Sequence, residues 1–63
     1  QDGATMHYLF PEAFAAADVV AQYDVIAILF GDDMAPDLLD VLDAFDNAAP
    51  HLQHACLVAV GLV

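Results

Sequence analysis

Three side chains that can ligate a transition metal lie close together late in the chain. His51, His54 and Cys56 fall within six residues of one another, and Zn²⁺ takes imidazole nitrogen and cysteine thiolate together. His7 or a carboxylate could supply the fourth ligand of a tetrahedral site. The spacing matches no established zinc motif. The pattern is compatible with a zinc site and, alternatively, with solvated histidines beside a core cysteine, which is the commoner case.

A second candidate site consists of carboxylates that follow two predicted strands. Glu12 comes soon after residues 6–10, and Asp32 and Asp33 come soon after residues 25–30. If these strands are parallel neighbours, the three acids share the sheet edge at which ligands bind. Carboxylate oxygens are the hard ligands that Mg²⁺ and Ca²⁺ prefer. The favoured interpretation is that these acids form turns and helix starts, without a cofactor, and the alternative is a divalent-cation site that takes Mg²⁺ or Ca²⁺.

Both predictions depend on an element order of strand, helix, strand, helix, strand. Unbroken apolar runs predict strands at residues 6–10, 25–30 and 54–63, because such runs fit strands buried on both faces. Helical spacing of apolar residues behind a leading proline predicts helices at residues 11–22 and 36–47. Right-handed crossovers would join the strands into a small three-stranded parallel sheet, a βαβαβ arrangement of the α/β class. An all-α fold with the apolar runs as buried helices is the alternative.

The charge balance excludes several classes of function. The chain has ten carboxylates, no lysine and no arginine, for a formal net charge of −10. Phosphate neutralisation dominates nucleic-acid affinity, and no side chain here supplies it. The same absence argues against binding to anionic membranes, and it leaves a basic protein as the partner that the charge favours. Serine and tryptophan are missing as well, which is expected of a designed or reduced-alphabet sequence, with a short acidic natural fragment as the alternative.

Several short segments resemble the middle of a response-regulator receiver domain. They are Tyr23-Asp24-Val25-Ile26, Asp32-Asp33-Met34-Ala35-Pro36, Leu38-Leu39-Asp40-Val41-Leu42 and Ala49-Pro50-His51-Leu52. The likeness covers about residues 12–62, and it makes Asp32 the match of the aspartate that accepts a phosphoryl group with Mg²⁺ bound. The family's paired acids have no counterpart in residues 6–10, and its lysine has none in this chain. The resemblance therefore implies a receiver-like fragment that acts through a protein partner, without phosphotransfer.

The chain length predicts one small domain, residues 1–63, with residues 1–5 as a frayed lead-in. Because so small a sheet cannot cover both of its faces, a homo-oligomer or another partner is expected. The sequence shows no signal peptide and no transmembrane stretch, so we expect a soluble protein of undetermined location. These observations predict a small acidic structural or interaction domain that is not an enzyme. Divalent-cation binding and a receiver-like fragment are the alternative functions.

Overall fold

The computed structural model describes the backbone of residues 3–63 and the side chains of residues 7–63. Within that part of the chain four helices follow one another: α1 Gly3–Ala16, α2 Val19–Leu29, α3 Leu38–Asn47 and α4 Pro50–Ala59. Residues 3–63 contain no strand. The predicted α/β fold with its parallel sheet is therefore wrong, and the all-α alternative describes the architecture.

All three predicted strands fall mainly within helices. Residues 6–10 belong to α1, residues 25–29 form the second half of α2, and residues 54–59 end α4. An unbroken apolar run lacks the two-residue alternation of a half-buried strand, so by itself it does not separate a strand from a helix. An N-cap favours the helix in α2. The Asp18 carboxylate accepts a hydrogen bond from the Ala21 N–H at 2.9 Å, so the helix begins before the apolar run at residues 25–30.

The predicted helices differ in how well they match the structure. A single helix over residues 11–22 is wrong, because α1 ends at Ala16 and α2 begins at Val19. The helix predicted at residues 36–47 is present as α3, which begins after Pro36 because Asp37 is its N-cap and accepts from the Asp40 N–H at 2.9 Å. Pro50 occupies the first position of α4, where its missing N–H has no consequence.

Pro11 lies inside α1 instead of starting it. A proline there has no N–H to donate to the carbonyl four residues earlier, and it disfavours a helix interior by about 3 kcal/mol. The helix nevertheless continues, because Phe10 and Phe14 on either side of the proline are both buried in the core. Tertiary burial of the two rings therefore overrides the local preference to begin a helix at Pro11.

Two-residue connections join α1 to α2 and α3 to α4, and we call each of these connected pairs a hairpin. In the first hairpin the Gln22 side-chain amide donates to the carbonyl of Phe14 at 2.9 Å. In the second, the Gln53 amide donates to the carbonyl of Phe45, also at 2.9 Å and 31 residues further along. The N–H three residues after each phenylalanine donates to the same carbonyl at 3.2 Å in both hairpins. The two hairpins thus repeat one local arrangement.

The core lies between the two hairpins, and all four helices contribute to it. The Phe10 and Phe45 rings stack across the seam with centroids 4.0 Å apart and planes 7° apart. His7 meets the edge of the Phe45 ring at a centroid distance of 5.1 Å. The buried residues of the core are Phe10, Phe14, Val25, Val41, Phe45, Cys56 and Leu57.

Candidate functional site

Helix α2 carries apolar side chains on two opposite faces, and only one of these faces is in the core. Val25 is fully buried on the inner face. On the outer face Val19, Val20 and Tyr23 expose 58%, 69% and 67% of their surface, and Ala27 is exposed beside them. A helix on the surface of a globular protein normally has one apolar face, which it turns towards the core. The outer face of α2 is therefore an apolar surface that no described part of this chain covers.

The loop after α2 makes a groove with the C-terminal part of this outer face, which contributes Tyr23 and Ala27. Phe30 ends the helix with its N–H on the Ile26 carbonyl at 2.7 Å, and Gly31 follows at a φ of 110°, which side chains disfavour. The chain then lies alongside α2 and encloses an open cavity of about 470 Å³. We call it the α2 groove; its lining residues are Tyr23, Ile26, Ala27, Gly31, Asp32, Met34 and Ala35.

The rim of the α2 groove carries negative charge without a compensating side chain. Asp32 is part of the lining, Asp33 follows it in the loop, and Asp24 succeeds Tyr23 on α2; all three are exposed. No lysine or arginine exists in the sequence to pair with them. Two other carboxylates, Asp18 and Asp37, are engaged as helix caps. The groove therefore combines an apolar floor with free carboxylates on one edge.

The residues of the predicted divalent-cation site lie on different elements. Glu12 is exposed within α1, whereas Asp32 and Asp33 are exposed in the loop between α2 and α3. Among the described residues no group of three or more histidine, cysteine or acidic side chains could hold a metal ion. The strand-end argument for this site no longer applies, because both segments are helical. Binding of Mg²⁺ or Ca²⁺ stays a prediction that no geometry in the described region supports.

The predicted zinc ligands on α4 are also separated by burial. His51 and His54 are exposed, whereas Cys56 is fully buried in the core. Burial raises the pKa of the Cys56 thiol from 9.0 to about 11, so at neutral pH the side chain is a thiol and not the thiolate that binds metal. His7 packs against the Phe45 ring. The arrangement matches the alternative of solvated histidines beside a core cysteine, and zinc binding stays a prediction.

The α2 groove was not among the sites that the sequence suggested, although one signal for it was present. Val19, Val20, Tyr23 and Ala27 recur at three- and four-residue spacing, which places them on one helical face. That face is additional to the one that holds Val25. Once the segment is known to be helical, the excess of apolar residues indicates a second, uncovered face.

Each of the four described helices is too short or too polar to cross a lipid bilayer. Comparison with known proteins found no matching family model, no matching curated protein and no matching solved structure. The resemblance to receiver domains accordingly stays a prediction, as does the fragment function that it implies. Functional inference for this chain therefore rests on its own surface, of which the α2 groove is the most distinctive part.

Proposed function

We propose that this chain is a non-catalytic interaction domain that binds a basic protein partner. The observation that carries the proposal is the outer face of α2, where Val19, Val20 and Tyr23 are largely exposed in a chain that has ten carboxylates and no lysine or arginine. Exposed apolar patches with polar rims are typical of protein-binding surfaces. Charge complementarity then selects the partner, because complementary potentials speed association and suppress partners of the wrong sign.

The charge also argues against self-association as the main function. Two copies of the chain would bring together two surfaces from molecules that each carry a formal charge of −10. Their mutual repulsion opposes a dimer at low salt, whereas a partner rich in lysine or arginine gains from the same charges. A basic partner therefore satisfies both features of the surface, its apolar floor and its carboxylates.

The proposal is tested with a pair of synthetic amphipathic peptides of about 20 residues. One carries leucine on one helical face and lysine on the other, and the second has every lysine replaced by glutamate. We expect the lysine peptide to bind in isothermal titration calorimetry, and its dissociation constant to rise by about tenfold or more between roughly 50 and 300 mM NaCl. The glutamate peptide should not bind. Equal binding of both peptides, or binding of neither, would show that the proposed function is wrong.

A further inference from the structure

We propose that the basic partner binds in the α2 groove as an amphipathic helix, with its apolar side chains on Tyr23, Ala27 and Met34 and its cationic side chains on Asp32 and Asp33. The inference rests on the proposed function and adds to it a location and a mode of binding. Laying the apolar face of a helix into a groove is one of the recurring ways in which proteins recognise peptides.

The dimensions of the outer face fit a short helix. From Val19 to Ala27 the outer face spans nine residues of α2, which is about 12 Å at the helical rise of 1.5 Å per residue, and its C-terminal half lines the α2 groove. That length accommodates about two turns of a partner helix and two or three apolar anchors at three- and four-residue spacing. The volume of about 470 Å³ has room for large side chains such as leucine or phenylalanine.

Other exposed apolar side chains lack this shape. Leu38 and Leu39 expose 44% and 75% of their surface at the start of α3, and Val58 exposes half of its surface on α4. None of these three side chains lines the α2 groove. At the groove, by contrast, the loop that contains Met34 provides a wall beside α2, and a concave site buries more of an inserted side chain than a convex one.

The carboxylates give the α2 groove a preference for a positively charged partner. Asp32 is in the lining and Asp33 is next to it, so a lysine or arginine flanking an inserted apolar side chain would reach one of them. These carboxylates are solvent-exposed, and the sequence has no lysine or arginine that could already be paired with them. A second copy of this chain would present carboxylates to carboxylates in the same place, which favours a different, basic protein.

Two sets of variants test the location, each with a matched control. For the apolar floor we compare Tyr23→Ala combined with Met34→Ala against Leu39→Ala, which removes a side chain at least as exposed from α3. For the rim we compare Asp32→Asn combined with Asp33→Asn against Asp43→Asn combined with Asp46→Asn, which makes the same change in net charge on α3. All substituted side chains are exposed, so circular dichroism melts should show every variant folded.

We expect both groove variants to weaken binding of the lysine peptide by about tenfold or more and both controls to change it by about twofold or less. Amide chemical-shift changes on titration of the labelled wild-type protein with this peptide should be concentrated in residues 19–35. Equal losses in groove and control variants, with shifts spread over the molecule, would overturn the location while leaving the proposed function intact. Failure of the wild type to bind would instead count against the function itself.

Sedimentation equilibrium tests whether a second copy of this chain occupies the α2 groove instead of a basic partner. We expect a monomer at about 20 mM NaCl, because screening is weak there and the repulsion between copies is strong. A dimer that the Tyr23→Ala and Met34→Ala variant converts to monomer would mean that the groove takes a second copy of the chain, and the assignment to a basic partner would be overturned.

Discussion

Cys56 shows how burial alone changes the chemistry of a residue in this protein. It lies in the core on α4 and is fully buried, so the thiolate would have to exist in an apolar environment. The resulting rise of its pKa to about 11 makes it a poor metal ligand and a poor nucleophile at neutral pH. Its role in the folded protein is therefore that of a small apolar side chain.

The raised pKa predicts a specific loss of stability in alkaline solution. Above pH 9 the thiol ionises in the unfolded chain but stays protonated in the folded one until about pH 11. Stability from this residue is therefore complete below pH 9, and it falls by about 1 kcal/mol per pH unit as the pH rises towards 11. Urea unfolding at several pH values under reducing conditions measures this slope.

Cys56→Ala is the control for the alkaline prediction. This variant has no thiol to titrate, so its stability should depend less steeply on pH between about 9 and 11, although its stability at neutral pH is lower because a buried side chain is truncated. Identical slopes for the wild type and Cys56→Ala would contradict the prediction.

Among the helices, the repeated glutamine contact links each hairpin across its turn. Gln22 on α2 and Gln53 on α4 are partly buried, and each donates to a carbonyl in the last turn of the preceding helix, where the usual N–H four residues on is missing. We expect Gln22→Ala and Gln53→Ala each to lower the free energy of unfolding by about 1 kcal/mol. Because the two contacts belong to different hairpins, the double variant should lose about the sum.

Chemical denaturation of the two single variants and the double variant measures these losses. Asn47→Ala is the matched control, since the Asn47 amide also donates to a backbone carbonyl at 2.9 Å, that of Asp43, but is exposed. Its loss should be clearly smaller than that of either glutamine. A glutamine loss no larger than the Asn47→Ala loss would show that these contacts do not hold the hairpins together.

The helices also show which features could be predicted from the sequence. The stripe of apolar residues over 38–45 is periodic, and it correctly predicted α3. Residues 25–30 have no period because α2 is apolar on its inner and outer faces alike, so the run was assigned to a strand. The outer face that hid the helical period is the same face that forms the α2 groove. The wrong element type and the missed site therefore have one physical cause.

The sequence indicated the carboxylates near the groove as a candidate site, but the sheet on which that argument rested is absent from residues 3–63. Asp32 and Asp33 were expected at a sheet edge, and the structure places them in a loop beside α2. Their exposure follows from local turn chemistry and was foreseeable. The position of Asp32 near Tyr23 could not be predicted from the sequence, because it depends on how the loop after Gly31 folds back on α2.

For the molecule as a whole, the uncompensated charge should make stability depend on salt. The radius of gyration is 10.4 Å, close to the Debye length of about 10 Å at 0.1 M salt, so carboxylates across the molecule repel one another in dilute buffer. Folding brings these charges closer together than in the unfolded chain, and screening therefore favours the folded state. We expect the melting temperature to rise between about 20 and 500 mM NaCl, by roughly 4–8 °C for each kcal/mol gained.

Circular dichroism melts across that range of salt measure the effect. The variant with Asp43→Asn and Asp46→Asn carries two fewer charges, so its melting temperature should start higher at low salt and rise less steeply. A melting temperature that stays constant or falls with salt in the wild type would contradict the repulsion argument.

The division into two hairpins has a kinetic consequence. Two-residue turns join α1 to α2 and α3 to α4, so contacts within each pair are between residues close in sequence, and helical proteins rich in local contacts fold in microseconds to milliseconds. The most extensive helix packing, between α2 and α4, joins the two pairs. The contact between Phe10 and Phe45 joins residues far apart in sequence and has to wait for the two halves to meet. We therefore expect the barrier to folding to lie in the docking of preformed hairpins, with the stacked rings among the last contacts to form.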